Sequence, residues 1–144
     1  KLGVVNYTIK CSGLIKRDYK VTTEIGYMEI GNSMQIAFVP GEFCADLWNG
    51  GTSLTAENSI NGEAFTGKTI TEIFGEETVV FGLANDELGY VLPPNDFVLN
   101  EKSPYVGDGR DKHNRRHYEE TNSVGPKTAE VIAQVVKDIL NDVK

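Results

Sequence analysis

A few polar residues stand where chemistry could collect. Glu42 follows Pro40-Gly41, Tyr90 follows Gly89, and His113 and His117 lie four apart in a charged run, residues 108–117, with Tyr118 directly after it. Imidazoles at i and i+4 share one face of a helix, a spacing that some zinc sites use. The intervening Asn114-Arg115-Arg116 and the composition around it read instead as a solvated loop. A glutamate after a Pro-Gly turn ordinarily supplies a helix N-terminal charge, and a tyrosine after glycine is ordinarily a core aromatic with a wet hydroxyl. CxxC, HExxH, Walker and GxSxG motifs are absent, and Gly107-Asp108-Gly109 lacks the bracketing strand and helix of a phosphate loop. The residue types alone leave binding and catalysis both open.

The elements that must position these residues are easier to read. Residues 21–40, VTTEIGYMEIGNSMQIAFVP, hold a Gly31-Asn32 pair between two half-apolar runs, which predicts a hairpin with strands near 20–30 and 33–39. Ala37-Phe38-Val39 reads as a buried strand that Pro40-Gly41 stops, so Glu42 falls just past its end. Thr78 to Ala84, TVVFGLA, reads as a second buried, central strand, and Tyr90 follows it after a polar stretch. Residues 49–69 are rich in Gly, Asn, Ser and Thr and predict a long loop with at most one helical turn; residues 93–117 read as another loop. Val131, Ile132, Val135, Val136, Ile139, Leu140 and Val143 recur at helical spacing behind Gly125-Pro126, which predicts a C-terminal helix with one apolar face. The fold class is therefore α/β or α+β: a mixed sheet with a hairpin near 20–39 and a terminal helix packed on it.

The 144 residues suit a single domain with a real core. A net charge of -7 argues against nucleic acid, whose phosphates need a basic surface, and no apolar run approaches the roughly 18 residues of a membrane span. Cys11 and Cys44 permit one disulfide without requiring it, which leaves the redox compartment open. The chain opens on Lys1 without a signal-peptide pattern, consistent with a removed leader or with a piece of something longer.

Three stretches in one order, TEIGYMEIGNSMQIAFVPGEF, VVFGLANDELGY and HYEETNSVGPKTAEVIAQVVKDIL, resemble the second half of the catalytic domain of the neutral/alkaline (non-lysosomal) ceramidase family. There a strand pair leads to PGE, a strand leads to a GLxNxxxxY motif, and a YE stretch precedes a GP-initiated terminal helix. The resemblance covers about residues 20 to 143. The family consists of zinc amidases that cut ceramide into sphingosine and a fatty acid. It implies that Glu42 and Tyr90 are two zinc ligands and that Tyr118 lies at the reaction centre. Two histidine ligands and a catalytic serine would come from the N-terminal half of the same domain, and the isolated chain would be inactive without it. Zinc accepts such a mixed donor set and lowers the pKa of a bound water to about 7. The resemblance further implies a lipid amide substrate and an extracytoplasmic setting. The rival readings are a stand-alone binding domain that kept the fold, and a hydrolase of a non-lipid amide. The 49–69 and 93–117 loops lengthen the intervals between the motifs.

Overall fold

A computed structural model describes residues 3–10, 20–98 and 110–143. Cys11 and Gly107-Asp108-Gly109 lie outside the described residues. The chain forms an α+β structure whose main sheet holds β1 (Gly3–Lys10), β2 (Lys20–Ile30), β3 (Met34–Phe38) and β5 (Thr78–Phe81), in the order β1-β2-β3-β5. The first two pairings are antiparallel and β3 pairs β5 in parallel, so the sheet is mixed. The expected hairpin is β2–β3: Gly31 takes a φ of 60° at the turn, a conformation glycine adopts without a Cβ penalty. Two more strands, β4 (Glu42–Phe43) and β6 (Tyr90–Val91), form a short parallel ladder of their own.

The long helix, α3 (Thr128–Val143), starts two residues after Pro126 and lies across β1 and β2. Its Ile132, Val135, Val136 and Ile139 are almost wholly buried with Ile25 and Tyr27 of β2 and Ala37 and Val39 at the end of β3. Burying each large apolar side chain contributes roughly 1.5–3 kcal/mol before entropy is subtracted. Two short helices fill the remaining edge of this core: α1 (Ala45–Asn49) through Leu47, and α2 (Ile70–Phe74) through Ile70 and Phe74. Phe74 stacks on Tyr27 with ring centroids 4.6 Å apart. A capping box starts α2, in which the Thr69 hydroxyl accepts from Glu72 N–H while the Glu72 carboxylate accepts from Thr69 N–H. The 49–69 loop carries one 3-10 turn, Thr52–Leu54.

The expectation of a buried central strand at 78–84 is corrected: β5 has four residues and lies at the edge of the sheet, with Val79 and Phe81 exposed. Leu83 and Asn85 have φ of 53° and 68°, which a strand cannot accommodate, so the apolar run leaves the sheet after Phe81. Its continuous apolar character has another cause. Alternate residues of β2, β3 and β5 point away from α3, and Met28, Ile30, Met34, Ile36, Phe38, Val79 and Phe81 give that outer face an apolar surface as well. Ile30 and Phe81 are each about half exposed, and Phe38 stacks on Phe81. No helix among the described residues is long and apolar enough to cross a membrane.

Candidate functional site

Pro40 ends β3 and turns the chain toward β4, and the segment after β5 folds back over the same turn. Val39 N–H donates to the Phe81 carbonyl at 2.9 Å, Leu83 N–H to that of Gly41 at 2.8 Å, and Ala84 N–H to that of Val39 at 3.1 Å. The Thr23 hydroxyl donates to Asp86 at 2.6 Å and ties the same segment to β2. The two motif-bearing segments then pair. Glu42 N–H donates to the Gly89 carbonyl at 2.8 Å, Cys44 N–H donates to that of Val91 at 3.0 Å, and Glu42 stands in register with Tyr90.

Both flanking glycines are required by close approach. Gly41 has a φ of 126°, and a Cβ there would lie 2.6 Å from the Gly89 carbonyl oxygen. Gly89 has a φ of 76°, and a Cβ there would lie 1.6 Å from the carbonyl oxygen of Asn122. Asn122 closes the 3-10 turn Tyr118–Asn122, so Gly89 seats that turn directly against β6.

Three motif residues meet in consequence. The Tyr90 and Tyr118 hydroxyls are hydrogen-bonded at 3.2 Å, with rings edge to face and centroids 5.8 Å apart. The bond to Tyr118 pushes the Tyr90 phenol well above its usual range, aided by partial burial and by the Glu42 charge. Tyr90 is therefore a neutral phenol in this chain, and a cation bound there must displace its proton. Glu42 is exposed and lies ahead of the first turn of α1, where Asp46 holds the acidic position, so it is no helix N-terminal charge. Tyr118 is exposed too.

Paired strands lie about 4.8 Å apart, so a carboxylate and a phenol in register can both reach one metal at about 2 Å. Among the described residues no group of three His, Cys, Asp or Glu side chains is placed to hold a metal ion. The pair fits two positions of a four-ligand shell.

No family model matches the chain, and no curated protein or solved structure matches it significantly.

The charged run is a loop, as expected, but only partly solvated: Arg110, Lys112, Asn114 and Arg116 are exposed, whereas Asp111, His113, Arg115 and His117 are half-buried. Residues 110–117 are not helical; Asn114, with a φ of 63°, closes a turn by donating to the Asp111 carbonyl. The Asp111 carboxylate, with a side chain 4% exposed, accepts from the N–H groups of His113 and Arg115, from Arg115 Nε and from the His117 ring. Arg115 forks onto Asp96 at 2.8 and 3.0 Å and reaches the Asn58 carbonyl in the long loop. His117 bridges Asp111 and Glu120, while Glu120 also accepts from Val98 N–H. His113 and His117 thus share no metal-binding face. His113 Nε2 is buried without a hydrogen-bond partner, and both ring nitrogens of His117 are taken by carboxylates. The Asp-x-x-x-Arg and His-x-x-Glu spacings were the signal for this cluster.

Burial pushes the Asp111 carboxyl up, but the hydrogen bonds from His117, Arg115 and His113 outweigh it and hold it well below the usual carboxylate range. A carboxyl depressed in the folded state contributes stability that is present above its unfolded pKa of about 3.9 and is lost as pH falls toward the folded value. Thermal melts across the acid range are therefore expected to show stability falling below about pH 4. Asp111→Asn should flatten that acid limb; an unchanged limb would contradict the assignment.

Proposed function

We propose that the chain is part of a zinc-dependent amidohydrolase that cleaves the N-acyl bond of a ceramide-like lipid. The observation that supports this reading is the convergence of Glu42, Tyr90 and Tyr118, which come from three separate motifs, at one exposed edge. Glu42 and Tyr90 would hold the metal together with two histidines from the remainder of the catalytic domain. Zinc, when bound, supplies Lewis acidity toward the amide carbonyl and activates water near neutral pH.

The chain's own residues have distinct tasks. Tyr90 must release its proton to serve as a ligand, and Tyr118 is the hydroxyl beside it that can donate a hydrogen bond to the oxygen so exposed. Tyr118, exposed and on a turn braced by Glu120, is also placed to donate to a substrate carbonyl as negative charge develops on it. Phe81 and Leu83, both exposed, precede and follow the Gly82 that packs on the Gly41 carbonyl. This apolar ground next to Glu42 favours a lipid amide over a polar one.

Assay of the complete, zinc-loaded catalytic domain on a fluorescent N-acyl sphingosine and on a short-chain N-acyl amine tests the reading. Hydrolysis of the lipid amide is expected; activity on the short amide alone would reject the lipid, and activity on neither would point to a binding domain. The isolated chain is expected to bind zinc only weakly by calorimetry. Submicromolar affinity abolished by Glu42→Ala would contradict the half-shell.

A further inference from the structure

We infer that His117 is a positioning residue: its imidazolium, held between Asp111 and Glu120, fixes the turn that begins at Tyr118 so that the Tyr118 hydroxyl meets that of Tyr90. The geometry suits the charged ring. Nε2 lies 3.0 Å from Asp111 Oδ2 and Nδ1 lies 2.5 Å from Glu120 Oε1. Ionised carboxylates only accept, so both ring nitrogens must donate, and only the doubly protonated imidazole has two N–H groups. Side-chain exposures of 4% for Asp111 and 1% for Glu120 keep both carboxylates away from bulk water.

The clamp is anchored on every side. Asp111 is tied to Arg115, Arg115 to Asp96 and to the Asn58 carbonyl, and Glu120 to the N–H of Val98. His117, the immediate neighbour of Tyr118, joins Asp111 to Glu120 within the turn that carries Tyr118. Among the described residues, the charged groups facing it are Asp111, Arg115 and Asp96 on one side and Glu120 on the other. A cavity of about 180 Å³ adds Cys44, Arg116 and Glu119. Burial pushes the Cys44 thiol up, so it stays neutral and brings no charge of its own. Burial disfavours the His117 cation, but the Asp111 hydrogen bond and the Glu120 charge outweigh it and raise its pKa. A raised histidine holds its full contribution below the unfolded pKa of about 6.5 and loses it as pH rises through the folded value. Above that value one N–H remains for two carboxylates, and the hold of His117 on the turn weakens.

The importance of this clamp for chemistry rests on reading Tyr118 as a reaction-centre residue. The test reads the ring contact in the metal-free 144-residue chain, so an inactive complete domain and a failed clamp are separate results. Cross-peaks between the Tyr90 and Tyr118 rings are expected in NMR spectra at about pH 6 and should be lost as the pH rises through the His117 titration, which begins above the ordinary imidazole value of about 6.5. Amides of α3 should stay protected throughout. His117→Gln should lack the cross-peaks at every pH, and His117→Lys, which keeps a cation, should restore them without pH dependence. Cross-peaks indifferent to pH in the unsubstituted chain, or unchanged in His117→Gln, would overturn the proposal. The titration needs no variant to fold.

Discussion

If Glu42 is a zinc ligand as proposed, Glu42→Ala in the complete catalytic domain is expected to lower kcat/KM for the lipid amide by about 100-fold or more, since loss of a ligand should exceed the 10- to 100-fold typical of residues that only support ligands. Tyr90→Phe is expected to have a comparable effect. Neither change should unfold the chain. The ladder bonds at Glu42 use its backbone N–H, and phenylalanine keeps the ring that packs edge to face on Tyr118. Melting temperatures are expected to stay near that of the parent, because exposed substitutions usually shift stability by no more than about 0.5 kcal/mol. Steady-state kinetics beside thermal melts make the separation. Turnover that survives either substitution would sink the ligand assignment, and turnover lost together with folding would show that the residue is structural.

Gly89→Ala destabilises by about 3 kcal/mol and separates the 118–122 turn from β6. Two costs combine. An L-residue in the left-handed region costs roughly 1–2 kcal/mol, and the added methyl meets a backbone oxygen, which cannot rotate aside as a flexible side chain could. Gly31→Ala is the matching control: its φ is also positive, but a Cβ there meets nothing within 4 Å, so only the conformational cost remains. Chemical denaturation of both variants isolates the collision. Equal losses would mean that the turn shifts freely and that Gly89 does not set the Tyr90–Tyr118 distance.

What was legible in the sequence follows from how local each cause is. The apolar spacing in α3 and the Gly31-Asn32 turn act within a few residues, and both elements appear where the pattern puts them. The hairpin, the mixed sheet and the terminal helix together make the α+β class readable. The apolar run Thr78-Val79-Val80-Phe81 shows how pattern can mislead, because it records two apolar faces of an edge strand rather than burial on both sides. The brief helix α2 begins where the 49–69 loop ends and was not read, although Thr69 and Glu72 carry the spacing of a capping box. The strand β1 was equally unmarked, its register with β2 being a long-range fact.

The candidate site divides in the same way. Glu42, Tyr90 and Tyr118 were marked by their motifs, but the reason for Gly41 and Gly89 lies in carbonyl oxygens contributed by distant segments. The ionic cluster was misjudged for a related reason. A run of charges reads as solvated until its partners are known, and Asp96, Asn58 and Val98 lie well outside it.

The parallel pairing of Glu42 with Tyr90 also constrains the order of events in folding. These residues lie about 50 positions apart, and closing so long a loop costs entropy that local contacts do not repay. Parallel ladders between distant segments are among the slow steps in small domains. The hairpin and α3 can assemble from nearby residues, whereas the edge bearing Glu42 and Tyr90 waits for β5 to dock on β3 and for the chain beyond it to return. An early folding species would therefore present the carboxylate and the phenol on separate, unpaired segments, and a ligand gripping both would act as a clasp on the last contact to form.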